Sequence, residues 1–247
     1  MRFWRTEREE LVDSLLTLAL THICAPTGYL GDRLKLTKLI FAATLETFRT
    51  RCKGFNFSFY RYSWGPFTKE LYHTWGDLYW AGLLEVQPGS TGLLGLTDEG
   101  HELAERFIRE VMQRDENQPF LEVMDKVADS YAPCSTGELL RRVYAMEVVP
   151  IGWSNPTTLG ATPMEAYFTA PIEERDAVLA VQIPEPWLKT FDLRRQRSQS
   201  EVAEARKFYD PRIIEQLDEA IAADLREEGE RLTVDDVNRI KQEYGLS

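Results

Sequence analysis

Apolar residues recur at helical spacing through the first part of the chain. Leu11, Leu15, Leu18 and Ala19 predict a helix over about residues 7–22, and Leu36, Leu39, Ile40 and Leu45 a second over about residues 32–49. Pro26, Gly28 and Gly31 interrupt the pattern between them. The period then changes. Phe55, Phe57 and Phe59 alternate with Asn56, Ser58 and Tyr60, which predicts a short extended segment ended by Gly65-Pro66. A third helix is predicted from Gly65 to about Gly82, with Phe67, Leu71, Trp75, Leu78 and Tyr79 on one apolar stripe. Residues 83–97 read as a β-hairpin around Pro88, Gly89 and Gly92. Thr97 is the expected N-cap of a fourth helix over residues 98–114, whose inward face is Leu103, Phe107, Ile108 and Val111. Gly100 stands at the third helical position, where a capping-box Glu is absent. A fifth helix over residues 119–131 turns Phe120, Leu121, Met124, Val127 and Ala128 inward, and Ser135 caps a short helix to about Ala145.

Beyond residue 147 the pattern loosens. Pro150, Gly152, Pro156, Gly160, Pro163 and Pro171 mark an irregular segment, a linker or a wrapping arm. Residues 176–183 read as one strand, followed by Pro184 and Pro186. From Gln199 onward the chain is helical and charged. Asp210-Pro211 opens a helix striped with Ile213, Ile214, Leu217, Ile221 and Leu225, and Thr233 opens a last one carrying Val234, Val237 and Ile240. The expected fold is mainly α: a helical domain with a winged-helix-like helix–helix–hairpin core, plus an α-rich C-terminal extension with one short strand. The expected divisions are residues 1–147, 148–198 and 199–247, and there is no internal repeat.

Composition narrows the class. Hydrophobic residues make up 43% and charged residues 28% of the chain, a balance that buries a core rather than staying disordered. The net charge of −11 is uneven. Residues 1–114 carry 14 basic and 14 acidic side chains, residues 115–150 carry 3 and 7, and residues 151–247 carry 12 and 19. An acidic chain is a poor ligand for polyanions, and its acidity suits solubility or a basic protein partner. Cys24, Cys52 and Cys134 are odd in number and far apart, as expected in a reducing compartment. The charged opening MRFWRTEREE has no apolar signal core, and the stretch from Leu15 to Ile23 is too short to span a bilayer. A cytoplasmic protein without a membrane partner is expected.

Candidate chemistry is sparse. His22, His73 and His101 show no metal-ligand spacing with one another or with the cysteines, and no nucleophile signature or phosphate-binding glycine loop is present. No catalytic residue, metal or cofactor is expected. The unusual feature is aromatic. Between Phe55 and Trp80, 11 of 26 positions are aromatic, against 11% for the whole chain. They either build an aromatic core or leave rings on the surface, where rigid contact area suits an interface. The candidate partner-binding residues are Tyr60, Arg61, Tyr62, Trp64, Phe67, Tyr72 and Trp80, with Arg61 able to pair with an acidic partner or a phosphate. The helix, helix, hairpin order is also that of a winged helix, which places its second helix in the major groove. Candidate DNA contacts are Arg33, Lys35, Lys38 and Lys69, although the helix that would enter the groove is close to neutral.

Four segments follow one another in order: KLTKLIFAA (35–43), YRYSWGPFTKEL (60–71), DLYWAGLLE (77–85) and LTDEG (96–100). Together they resemble the Panacea domain, a SocA-like, phage-associated antitoxin domain. That family shows a Lys-Leu-x-Lys-Leu helix, a Tyr-x-x-Gly-Pro helix start, a Leu-x-x-x-Gly-Leu-Ile end and a Leu-Thr-x-x-Gly cap. The resemblance covers about residues 8–145, and the roughly 100 residues that follow carry no resemblance to a known family. It implies a helical domain that acts as the antitoxin of a toxin–antitoxin pair, a family in which some members serve as proteolytic adaptors for the toxin. Taken with the missing catalytic residues and the aromatic excess, the expectation is neutralisation of a cognate protein toxin, encoded next to the chain, by direct stoichiometric binding, with a second copy of the chain, in a homodimer, as a further expected partner. The alternative expectation is a winged-helix transcriptional regulator, and the two roles coexist in antitoxins that repress their own operons.

Overall fold

The computed structural model describes residues 2–25, 33–86 and 94–208. The chain divides into two compact units, Met1–Gln196 and Arg197–Ser247. The first unit is mainly helical, and the boundary expected at residue 147 is absent from it: residues 148–183 belong to the same unit. Val148, Leu159, Phe168 and Ile183 are buried with the core, so the proline-rich stretch is a wrapping arm rather than a linker.

Two helices form the axis. In α1 (Glu7–Cys24) every residue from 11 to 21 is buried, and in α2 (Arg33–Arg49) every residue from 36 to 45. A helix apolar on all sides has no solvent face to keep, so other elements surround it. The capping box of Thr6 and Glu9 starts α1: the Glu9 N–H donates to Thr6 Oγ1 at 3.3 Å and the Thr6 N–H to Glu9 Oε2 at 2.8 Å.

After α2 the chain forms β1 (Cys52–Lys53), an extended stretch over residues 55–59, and a tight hairpin of β2 (Tyr60–Tyr62) and β3 (Gly65–Phe67). The third helix, α3 (Glu70–Trp80), therefore starts five residues later than its apolar stripe predicts. The pairing of Arg61 with Pro66 and of Tyr62 with Gly65 takes residues 65–67 out of the helix, and Gly65 at φ 90° makes the turn that only glycine adopts without strain. Phe67 thus lies outside α3, and Tyr79 points to solvent rather than inward.

The strands β4 (Leu84–Val86) and β5 (Leu94–Leu96) form the expected antiparallel hairpin, whose connecting residues lie outside the described ones. Helix α4 (Asp98–Phe107) follows, capped by Thr97, whose hydroxyl accepts from the Gly100 N–H at 3.0 Å and donates to the Gly82 carbonyl at 2.7 Å. The missing capping-box Glu has a steric cause. A Cβ on Gly100 would lie 2.1 Å from the Leu83 carbonyl oxygen, so no larger residue fits. A π-helical turn over Ile108–Met112 ends what the pattern reads as one helix to Arg114, and its wider turn brings Val111 and Met112 both into the core.

Helices α5 (Gln118–Tyr131) and α6 (Thr136–Tyr144) pack on α2, with Ser135 capping α6 as expected. Two-residue strands β6 (Glu147–Val148) and β7 (Thr157–Thr158) pair with each other, and the strand predicted over residues 176–183 shrinks to β8 (Leu179–Ala180), parallel to β1. The last helix among the described residues, α7 (Glu185–Phe208), begins 14 residues before the predicted Gln199. The reason is its docking: Leu188 and Phe191 are buried, and Trp187 meets Phe107 with ring centroids 5.4 Å apart. The helices read at Asp210 and Thr233 lie outside the described residues.

Two glycines on helices separate packing from propensity. In an open helical position Ala is favoured over Gly by about 1 kcal/mol. Gly76 on α3 has nothing within 4 Å of an added Cβ, so Gly76→Ala is expected to raise the melting temperature. Gly100→Ala is expected to destabilise by roughly 1–3 kcal/mol through overpacking against Leu83. Thermal and urea unfolding of the two variants checks both signs.

Candidate interaction surface

The aromatic-rich segment is placed by polar groups. Residues 55–59 are all buried, yet they belong to no strand. Alternation predicts Asn56 and Ser58 facing water; instead they face a polar lining. Buried backbone N–H groups need acceptors, and side chains supply them. The Asn56 N–H donates to Asp13 Oδ1 at 2.8 Å, the Ser58 N–H to Glu70 Oε2 at 2.9 Å and the Phe59 N–H to Thr169 Oγ1 at 2.9 Å. The Thr169 hydroxyl donates in turn to the Phe57 carbonyl at 2.8 Å, and the Phe168 N–H donates to the Phe59 carbonyl at 2.8 Å.

Arg5 ties the acids together. Its Nη1 donates to Asp13 Oδ2 at 2.9 Å, its Nε lies 3.2 Å from Glu70 Oε1, and its guanidinium sits 4.8 Å from the Phe57 ring centre. Burial pushes the Asp13 carboxyl up to about 7 against the opposing pull of Arg5 and Asn56. Burial likewise dominates at Glu70 and raises it, with Arg5 opposing. At Glu9 burial acts upward too, but hydrogen bonds from Arg2, Lys53 and the Thr6 backbone outweigh it and hold the carboxyl at about 2.

This arrangement delivers the β2–β3 hairpin with two different faces. On the outer face Tyr60, Tyr62 and Phe67 stand together and join a continuous chain of rings. Centroid distances are 4.5 Å for Phe3–Tyr167, 5.2 Å for Tyr167–Tyr60, 5.7 Å for Tyr60–Phe67, 5.3 Å for Phe67–Tyr62 and 5.6 Å for Phe67–Tyr72. Tyr62 is 45% exposed and Phe3 39%, while Tyr60, Phe67, Tyr72 and Tyr167 are half-buried. Beside this ridge, the loop before Tyr167 carries exposed Met164 and holds Glu165 at φ 65° by a 2.8 Å hydrogen bond from the Glu165 N–H to the Arg61 carbonyl. A left-handed conformation in a residue with a Cβ costs about 1–2 kcal/mol.

Four expected site residues, Tyr60, Tyr62, Phe67 and Tyr72, are brought together. Trp64 is half-buried in the turn, and Trp80 lies apart at the end of α3, 52% exposed and edge-on to Tyr79 at 5.4 Å. Arg61 departs from expectation. The pleat turns it to the inner face, where it is buried with its guanidinium 4.9 Å from the Tyr144 ring centre. Lys38 is corrected as a DNA contact: it is buried, and its Nζ donates to the Pro66 carbonyl at 2.8 Å. Arg33 and Lys35 are half-buried, and Lys69 is exposed. Phe3, Met164 and Tyr167 were not foreseen. Phe3 precedes the first periodic segment, and the other two are about 100 residues from β2 in sequence, so no local signal links them.

The ridge offers rigid apolar area and π faces rather than reactive groups. Among the described residues no three His, Cys, Asp or Glu side chains converge as a metal site. Two histidines do meet: His22 Nδ1 lies 3.1 Å from His101 Nδ1, with burial first and His101 second lowering the His22 pKa. No described helix is long and apolar enough to cross a membrane. No family model, curated protein or solved structure matches the chain.

The raised Asp13 carboxyl has a pH consequence. Because its folded value of about 7 exceeds the ordinary 3.8, the folded state holds the proton more tightly than the unfolded chain. That contribution is complete below pH 3.8 and gone once the pH passes 7. Glu9 acts oppositely, contributing above pH 4.5 and losing its effect as the pH falls toward 2. Asp13→Asn is therefore expected to flatten the decline in stability between about pH 4 and pH 7 while leaving the acid limb. Melting temperatures of both proteins across pH 2–8 test this.

Proposed function

We propose that this chain works by binding another protein, as the toxin-neutralising member of a toxin–antitoxin pair. The observation that carries the reading is the ridge of Phe3, Tyr60, Tyr62, Phe67, Tyr72 and Tyr167, a connected aromatic surface with exposed ends. Tyrosine-rich patches of limited side-chain freedom recur where proteins bind tightly. The acidity of residues 151–247, with 12 basic and 19 acidic side chains, favours a basic partner. The resemblance of residues 8–145 to the Panacea domain points the same way. It takes structural sense from two pairings: Lys38 with Pro66, and Thr97 with Gly82.

A second reading is a winged-helix DNA-binding protein. The order α2, α3 and the β4–β5 hairpin favours it. Against it stands the outward side of α3, which carries His73, Tyr79 and Trp80 with Lys69 at its N-cap, a single lysine where phosphate contacts need several.

Co-expression with the product of the adjacent reading frame is expected to restore growth and yield a stoichiometric complex. Neither rescue nor complex would remove the reading. Phe3→Ala and Tyr62→Ala, at exposed positions, are each expected to weaken the complex by about tenfold with an unchanged melting temperature. Salt-dependent binding to the chain's own promoter would favour the DNA reading, and a flat response at low salt would dismiss it.

A further inference from the structure

Three arginines of the first unit, Arg5, Arg61 and Arg195, have mostly buried side chains, and their charges are not matched alike. Arg5 is surrounded by Asp13 and Glu70. Arg195 has Glu7, Glu10, Asp77 and Asp192 within 4.0 Å. Arg61 is 6% exposed, and no carboxylate of the described residues lies within ion-pair distance of it. Its Nη1 donates to the Tyr62 carbonyl and its cationic carbon lies over the Tyr144 ring at 4.9 Å, while its Nε, like those of Arg5 and Arg195, is buried without a hydrogen-bond partner. A second cation is close by: Lys38 Nζ bonds the carbonyl of Pro66, the residue paired across the hairpin with Arg61. A guanidinium cannot shed its charge, and a neutral carbonyl with one ring face replaces little of its lost hydration. In the turn beside it Tyr62 and Ser63 are exposed, and the Tyr144 hydroxyl donates to the Ser63 carbonyl at 3.1 Å.

We infer that Arg61 is a seat for a carboxylate, filled by an Asp or Glu side chain that the protein partner inserts beside the Tyr62–Ser63 turn. The guanidinium fork matches a carboxylate bidentately, and a charge otherwise left uncompensated gives the contact both strength and selectivity. The seat lies on the inner face of the hairpin whose outer face carries the aromatic ridge, so one partner segment reaching around the turn engages both. This rests on the protein-binding reading above.

The test has two arms on the full chain. In the first, the Arg61 Nε–H resonance is followed by NMR while sodium acetate is added at constant ionic strength, with inorganic phosphate in a parallel series. A saturable shift of Arg61 with acetate, and none at Arg5 or Arg195, is expected. No saturation with acetate, or tighter saturation with phosphate, overturns the carboxylate assignment. In the second arm, the complex with the adjacent gene's product is measured for Arg61→Met and for Arg61→Lys, which keeps the charge and loses the fork. Both are expected to weaken binding at least about tenfold. The Lys variant keeps the test open if the Met variant does not fold. Wild-type affinity in a folded variant sinks the seat and leaves the protein-binding reading standing. A saturable acetate shift in a chain that forms no complex sinks the reading and keeps an anion seat.

Discussion

A buried stretch of extended backbone with no sheet to join must find its hydrogen bonds elsewhere, and residues 55–59 meet that requirement with side chains. Asp13 of α1, Glu70 of α3 and Thr169 of the wrapping arm each accept a backbone N–H from this stretch. The cost of this solution is a fully buried Asp13 and a half-buried Glu70, both held by Arg5. The elements it joins are distant in sequence, so the arrangement also binds the N-terminal residues, the first and third helices and the arm into one unit.

That constraint determines what faces outward. With residues 55–59 pinned on both sides, β2 leaves the core in one orientation, and the pleat divides its residues. Tyr60 and Tyr62 join the ring chain that runs from Phe3 to Tyr72, while Arg61 turns in against Tyr144. The arm that accepts from the buried stretch also brings Tyr167 against Tyr60, so the surface is completed by the same contact that satisfies the backbone. The rings are therefore held by the same hydrogen bonds that support the buried stretch.

The first half of α7 shows a related use of charge. Arg195 draws Glu7 and Glu10 of α1 and Asp77 of α3 toward α7, and Arg194 donates to the Ala81 carbonyl at 2.8 Å and to Glu99. Among the described residues the apolar side of this stretch is Leu188, Phe191 and part of Trp187, so ion pairs accompany a small hydrophobic contact. The same division of labour recurs in the motifs along the chain. Lys38 with Pro66, and Thr97 with Gly82, are polar ties between a helix or its cap and a backbone carbonyl next to another element.

Periodicity alone carried the helices α1, α2, α5 and α6 to within a few residues, because their apolar stripes and caps are local properties of the chain. It also located the aromatic excess and the hairpin before Thr97. It misplaced the start of α3, since the Gly65-Pro66 signal that opens a helix equally suits a hairpin turn, and only the pairing with residues 60–62 decides between them. It missed the start of α7, where three apolar residues among charged ones give too weak a stripe. Which rings face water, why Arg61 and Lys38 are buried, and how Phe3 and Tyr167 join residues 60–72 were not legible. Each depends on contacts between segments tens to more than a hundred residues apart, and such contacts leave no periodic trace in either segment. Local hydrophobic spacing determines which stretches become helices; the acceptors demanded by a buried backbone determine how they meet, and through that what the surface offers.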